Sequence, residues 1–273
     1  MTRNVCHLTL LSVLLTAAAP LACARARQSA AAAPSSAAAE SEFRQLASQI
    51  VERRTGGTGG ANGTASLEES ALQILDSFAL ETLNAPGEPK LDALNLRLAS
   101  LVAQRTPAGQ GYAVQRLGGV PPAFVLAANF GSSGPSALRL YARGPQQYGL
   151  TMKIDPINQP DYFDDFVVVL PIAPAAGSSD VVFVTVTGRT DEFATGVFAA
   201  WRLLGNRVQE LWATDLLPRS IYEPLPDGVR ITFCAEPDED QPGVCRRMAR
   251  ERYAWDGAAW KRVEQTDLGP PKP

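Results

Sequence analysis

After Pro107 the apolar residues of this chain recur at every second position, in segments separated by short runs of Gly, Pro, Asn and Asp. No other feature constrains the fold as tightly. Period two marks a strand with one face covered, and connections too short for a crossover make neighbouring strands antiparallel. Ten segments qualify: 123–130, 137–143, 148–155, 166–172, 181–189, 197–204, 208–215, 229–235, 244–255 and 260–265. The ninth is long enough to expect a bulge. Strands in this order make a sandwich, a barrel or a partial-propeller-like meander, since a closed propeller takes at least about four four-stranded blades.

Upstream the period is helical. Phe43, Leu46, Ala47, Ile50 and Val51 form one apolar stripe, and Arg53 and Arg54 close that helix with charges suited to its C-terminal dipole. A Gly-rich run over 55–64 breaks the pattern. Ser66-Leu67-Glu68-Glu69 then has capping-box spacing and opens a second helix, with Leu67, Ala71, Ile74, Leu75 and Phe78 on one side. A third helix begins near Pro89 and aligns Leu91, Leu94, Leu98 and Leu101. The expected class is α+β: N-terminal amphipathic helices over 40–106, a mainly antiparallel β meander over 107–266 and a Pro-rich tail over 267–273.

The first 24 residues read as a secretory signal: a basic start, an apolar stretch over 8–21 and the A-x-A site Ala22-Cys23-Ala24. Pro20-Leu21-Ala22-Cys23 also resembles a lipobox, which gives the alternative of a lipoprotein signal over 1–22 and lipidation at Cys23. Residues 25–39 form a low-complexity tether. No later apolar run reaches the roughly 20 residues of a membrane-spanning helix. The expected location is therefore extracytoplasmic: periplasmic, outer-membrane-anchored or secreted. There, Cys234 and Cys245 are expected to form a disulfide across a polar loop.

Composition excludes several chemistries. The 273 residues carry 25 Lys and Arg against 28 Asp and Glu, and the single histidine is His7, inside the expected signal. Losing Arg3 and His7 with that signal moves the formal charge from −3 to −4 and leaves no imidazole. Ser-His-Asp and Cys-His systems and His-ligated metals are excluded with it. The glycine run 56–63 joins two helices and lacks the Gly-Lys-Ser/Thr ending of a phosphate loop, so it reads as a linker. Two acidic loops offer oxygen ligands: Asp155, Asn158, Asp161, Asp164 and Asp165, and Glu236, Asp238, Glu239 and Asp240. Neither has the register of a calcium loop, and both read as solvated turns. No metal, cofactor or nucleic-acid partner is expected.

The aromatic pattern is more specific, because all four tryptophans fall between 201 and 260. A two-residue turn at Gly205-Asn206 would pair Leu203 with Val208, Trp201 with Glu210 and Ala199 with Trp212. Trp201, Glu210 and Trp212 would then share a face. Around Asp256-Gly257, Tyr253, Trp255 and Trp260 would share another. These six residues are the candidate ligand-binding set, a stacking platform for a sugar ring or peptide, with core packing as the competing reading. Elsewhere, setting Leu140 opposite Met152 puts Arg139 opposite Lys153 and Tyr141 opposite Thr151, which calls for an acid between the two cations. The functional expectation is a non-catalytic envelope protein that binds a partner protein or an envelope polymer, with no catalytic residue assigned. The alternative is a His-independent enzyme acting on a glycan through two of Glu210, Asp215 and Asp256.

Overall fold

The computed structural model describes residues 36–55, 63–102, 111–131, 136–154, 166–173, 180–189, 195–238, 240–241 and 243–271. The expected signal, Cys23, residues 25–35 of the expected tether, the glycine run 56–62 and the acidic loop 155–165 lie outside the described residues. Among the described residues three helices precede the strands: α1 (Ser36–Thr55), α2 (Ala65–Leu83) and α3 (Leu91–Ser100). Helix α1 starts four residues before the expected Glu40, using small residues of the segment read as tether. The expected stripes are buried at Phe43, Ala47, Ile50, Ala71, Leu75, Phe78, Leu94, Leu98 and Leu101. The capping box is not used. Helix α2 begins after Thr64, whose hydroxyl bonds the Glu68 carboxylate, and Ser66 lies inside the helix.

Among the described residues, twelve strands follow in three four-stranded antiparallel meanders. The first sheet contains β1 (Gly111–Gly118), β2 (Ala123–Asn129), β3 (Ser136–Arg143) and β4 (Tyr148–Ile154). The second contains β5 (Phe166–Ile172), β6 (Val181–Arg189), β7 (Thr195–Leu204) and β8 (Arg207–Ala213). The third contains β9 (Ile221–Leu225), β10 (Gly228–Pro237), β11 (Cys245–Trp255) and β12 (Trp260–Gly269). Ten of these match the expected segments, while β1 and β9 are additional. Strand β12 also runs to Gly269, into residues expected as tail. The expected bulge in β11 is present at Arg246, the extra residue against β10, and two further bulges lie on β12 at Val263 and Leu268.

The sheets stack face to face. Helices cover the outer face of the first sheet, where Phe43, Tyr112 and Phe130 form a ring cluster with centroids 5.1 to 6.2 Å apart. Its inner face, with Val125, Leu138 and Leu140, packs on Val167, Val169, Phe183 and Trp201 of the second sheet. The second sheet's other face, with Val184, Val186 and Phe198, packs on Val229, Ile231 and Trp255 of the third. The Gly205-Asn206 hairpin thus lies between two layers, as an apolar pattern on both its faces requires. The disulfide Cys234–Cys245 joins β10 to β11 with Cα atoms 5.8 Å apart. Closing a loop of that length stabilises by about 2–3 kcal/mol.

Strand edges near the helices and between layers are tied off by side-chain amides. Asn95 of α3 donates to Val114 O at 2.9 Å and accepts from Val114 N at 2.8 Å, so it occupies the position of a neighbouring strand beside β1. Asn84, just past α2, does the same for Tyr148 of β4, at 3.2 and 2.7 Å. Along β5, Val167 N donates to Asn129 Oδ1 at 2.9 Å and Val169 O accepts from Gln115 Nε2 at 3.1 Å. Asn95→Ala leaves both backbone groups of buried Val114 without these partners. It should lower stability by about 1–3 kcal/mol, read as a lower urea midpoint with an unchanged slope.

Candidate functional site

The two aromatic groups do not form one platform. Strand β7 pairs with β8 as expected at Leu203–Val208 and Trp201–Glu210, but a register shift between Ala200 and Trp201 then sets Ala200, not Ala199, opposite Trp212. Leu211 is the extra residue. The expected shared face is therefore corrected: the bulge turns Trp212 to the side opposite Trp201. Trp201 packs toward the first sheet and donates Nε1–H to Thr185 Oγ1 at 2.9 Å. Trp212 faces the third sheet, where it meets Tyr253 at 4.1 Å and Trp260 at 6.0 Å between centroids. Trp255 is buried in the same layer, with the Arg202 guanidinium 5.5 Å from its ring and Asp180 2.8 Å from that guanidinium. Tyr253, Trp255 and Trp260 do lie together, and the surface they cover belongs to the second sheet. Glu210 is exposed.

Between α2 and the first sheet lies the acid that the opposed cations call for. Arg139 and Lys153 are directly opposite on β3 and β4. Glu69 bridges them, 3.1 Å from Arg139 Nη2 and 2.7 Å from Lys153 Nζ. The acid comes from a helix rather than a strand, and it is a residue whose spacing had suggested a cap. Tyr141 faces Leu150 instead of Thr151, because a bulge follows Leu140. Its hydroxyl donates to Asp76 at 2.6 Å. Burial raises the carboxyl of Asp76 above its ordinary value despite the Tyr141 hydrogen bond and the charges of Arg139 and Lys153. Burial acts the same way on Glu69, but hydrogen bonds from Lys153 and Gln73 and the charge of Arg139 outweigh it, so Glu69 lies below its ordinary value. Fully buried Arg139 makes this cluster a lock between helix and sheet.

The remaining acidic candidates serve turns and arginines. Asp256 accepts the N–H groups of Ala258 and Ala259 at 2.9 and 2.7 Å and an ammonium proton of Lys261. The Lys261 bond, followed by those of the two amides, holds its carboxyl far below the usual range, opposite to the need of a general acid. Asp215 is exposed. In the other acidic loop, Asp238 accepts two bonds from Arg246 at 3.0 Å, and Glu236 lies 3.5 Å from Arg247. Among the described residues no three acidic, Cys or His side chains converge as metal ligands, and no helix is long and apolar enough to cross a membrane.

A groove absent from the sequence reading lies at the turn end of the first two sheets. The α2–α3 connection, the β1–β2 turn and the β3–β4 turn enclose about 640 Å³, lined by Pro86, Pro121, Pro122, Arg143, Gln147 and Tyr148 among others. A smaller hollow of about 240 Å³ shares Pro121, Pro122 and Arg143 and extends to Leu204 and Gly205 of the β7–β8 turn. Gly118 and Gly119, at φ 104° and 87°, supply the left-handed backbone of the β1–β2 turn. The bidentate grip of Asn84 fixes Tyr148, and the Arg143 guanidinium lies 5.4 Å from that ring. Among the described residues, Arg143 has no carboxylate partner and Val120 is 89% exposed beside it. These residues sit on turns joined by four separate segments, so no local motif announces them. The chain matches no protein-family model and no curated protein.

The Glu69 bridge has a defined pH signature. A depressed carboxyl contributes stability that is present above its ordinary value of 4.5 and is lost as pH falls through the lowered one. Asp76, being raised, acts oppositely: its contribution is present below 3.8 and is lost as pH rises through the raised value. At pH 7, Glu69→Gln should cost about 3 kcal/mol, at the low end for removing one partner of a buried charge. That difference should hold above 4.5 and narrow below it, where the unfolded chain takes up the proton before the native carboxylate does at its lowered value. Urea titrations of both proteins across that range check it.

Proposed function

We propose that this protein is a non-catalytic, exported binding module whose turn-end groove takes an extended, carboxylate-bearing segment of a partner protein. The observation that carries the reading is Arg143, an exposed guanidinium positioned over Tyr148 with no carboxylate partner among the described residues. Prolines on both walls give the groove rigid apolar sides, and rigid walls lose little entropy when a chain docks. The Gln146 and Gln147 amides offer donors and acceptors for an extended backbone. A guanidinium is the side chain best suited to hold a carboxylate in a fixed orientation. The Cys234–Cys245 disulfide supports export, because such bonds persist in oxidising compartments. Of the six platform candidates, Trp212, Tyr253, Trp255 and Trp260 serve the packing between the second and third sheets and Trp201 that between the first and second, while Glu210 is exposed.

Selection from a displayed library of random twelve-residue peptides tests the reading directly. Peptides with Asp, Glu or a free C-terminal carboxylate should be enriched, and they should bind Arg143→Glu at least about tenfold more weakly, the equivalent of about 1.4 kcal/mol. The melting temperature should not change, since Arg143 is exposed. Enrichment without acidic residues, or equal binding to the variant, would falsify the assignment.

A further inference from the structure

A strand at the edge of a sheet presents unpaired N–H and C=O groups and invites another strand to join it. Three open four-stranded sheets have six such edges here: β1, β4, β5, β8, β9 and β12. Five carry a guard. Asn95 occupies the hydrogen-bonding groups beside β1, and Asn84 does so beside β4. Strand β5 is tied to the first sheet through Asn129 and Gln115 and contains Pro171. Strand β8 is bulged against β7 and lies beside β4. Strand β9 has five residues, one of them Pro224.

Strand β12 is bulged as well, with Val263 and Leu268 as extra residues against β11, but among the described residues it carries none of the other guards. It is ten residues long, with no proline and no glycine before Gly269. Every side chain over 261–268 is exposed, including Val263 at 51% and Leu268 at 37%. Its register shifts against β11 leave an unbroken run in which Glu264, Gln265, Thr266 and Asp267 oppose Arg252, Glu251, Arg250 and Ala249. At the end of the strand Gly269 N donates to Asp267 Oδ1 at 2.9 Å.

We propose that β12 pairs antiparallel with β12 of a second copy of this chain, joining two third sheets into one eight-stranded sheet across a two-fold axis. The charges select the partner and the direction. Lys261 and Arg262 lie near the start of the strand, Glu264 at its middle and Asp267 near its end. Antiparallel apposition sets the basic start of each copy against Asp267 of the other, whereas parallel apposition sets like charge against like. A two-fold axis requires the same strand to complement itself, and this one does. The existing ion pairs of Lys261 with Asp256 and of Arg247 with Asp267 are exposed and rearrange at little cost, while Arg262 also holds buried Glu251 at 2.7 Å. A ten-residue edge is a small interface, so the dimer is a weak one.

Sedimentation velocity of the purified protein from about 1 to about 200 µM spans the range expected of such an interface. The expected result is a concentration-dependent monomer–dimer equilibrium. Val263→Lys places a natural edge guard on an exposed position, and Asp267→Lys opposes like charges; each should raise the dimer Kd at least about tenfold without moving the melting temperature. Adding Lys261→Glu to Asp267→Lys reverses the polarity of the strand and should restore self-association, while mixing that double variant with the native chain should give no mixed dimer. A native chain that stays monomeric at the highest concentration overturns the proposal. So does a dimer indifferent to Asp267→Lys, which would place the contact elsewhere. If the native chain is monomeric yet β12 amides gain exchange protection in the presence of a different extended polypeptide, the edge has another occupant.

Discussion

The second sheet has apolar residues on both faces, and the rest of the architecture follows from the need to cover them. Its strands run Val-Val-Val-Leu, Val-Val-Phe-Val and Val-Phe-Ala-Ala-Trp, where a half-exposed strand would alternate with polar residues. One neighbouring layer is therefore insufficient. The first sheet supplies Val125, Leu138 and Leu140 on one side, and the third supplies Val229, Ile231 and Trp255 on the other. The first sheet then has its own outer face to cover, and the helices do so with leucine and phenylalanine stripes. In a stack of this kind backbone groups at the edges are removed from water along with the faces. Asn84, Asn95, Asn129 and Gln115 replace those lost water contacts one residue at a time.

Much of this order was legible because strand and helix periods differ so sharply. Strand β1 escaped because its apolar signal is thin: Tyr112 and Val114 face the helices, Gln115 and Arg116 follow, and Leu117 falls on the opposite face toward the second sheet. Strand β9 escaped because Pro224 argues against a strand unless the strand is an edge. Bulges also account for the errors in face: one extra residue, Leu211 or Thr151, moves everything beyond it to the other side. The opposed Arg139 and Lys153 showed that an acid was needed, but its source on α2 depends on tertiary packing. The Arg143 groove was illegible for the same reason, since its walls come from turns far apart in the chain.

The buried charges and the groove divide the roles of the first sheet. Arg139, Glu69 and Lys153 fix α2 to one face, so the α2–α3 connection has a defined position above the turns. Asn84 sits at the junction: it closes the β4 edge and sets the Tyr148 ring against which Arg143 rests. The same contact thus serves stability and places the binding residue. Function on such a scaffold is concentrated in loops whose backbone is held by rigid elements beneath them.

Each layer in this stack touches only its immediate neighbours, so cooperativity passes through the faces in sequence, as in repeat proteins. The third sheet has one covered face and is the layer with the least to lose by opening. Its outer strands β9 and β12 are largely exposed, whereas β10 and β11 carry its buried residues. Local opening would begin there, with β9 or β12 peeling away while the layers behind it stay packed. The disulfide spans the two inner strands of this same sheet, so the crosslink converts what would be loss of the whole layer into reversible fraying at its margins.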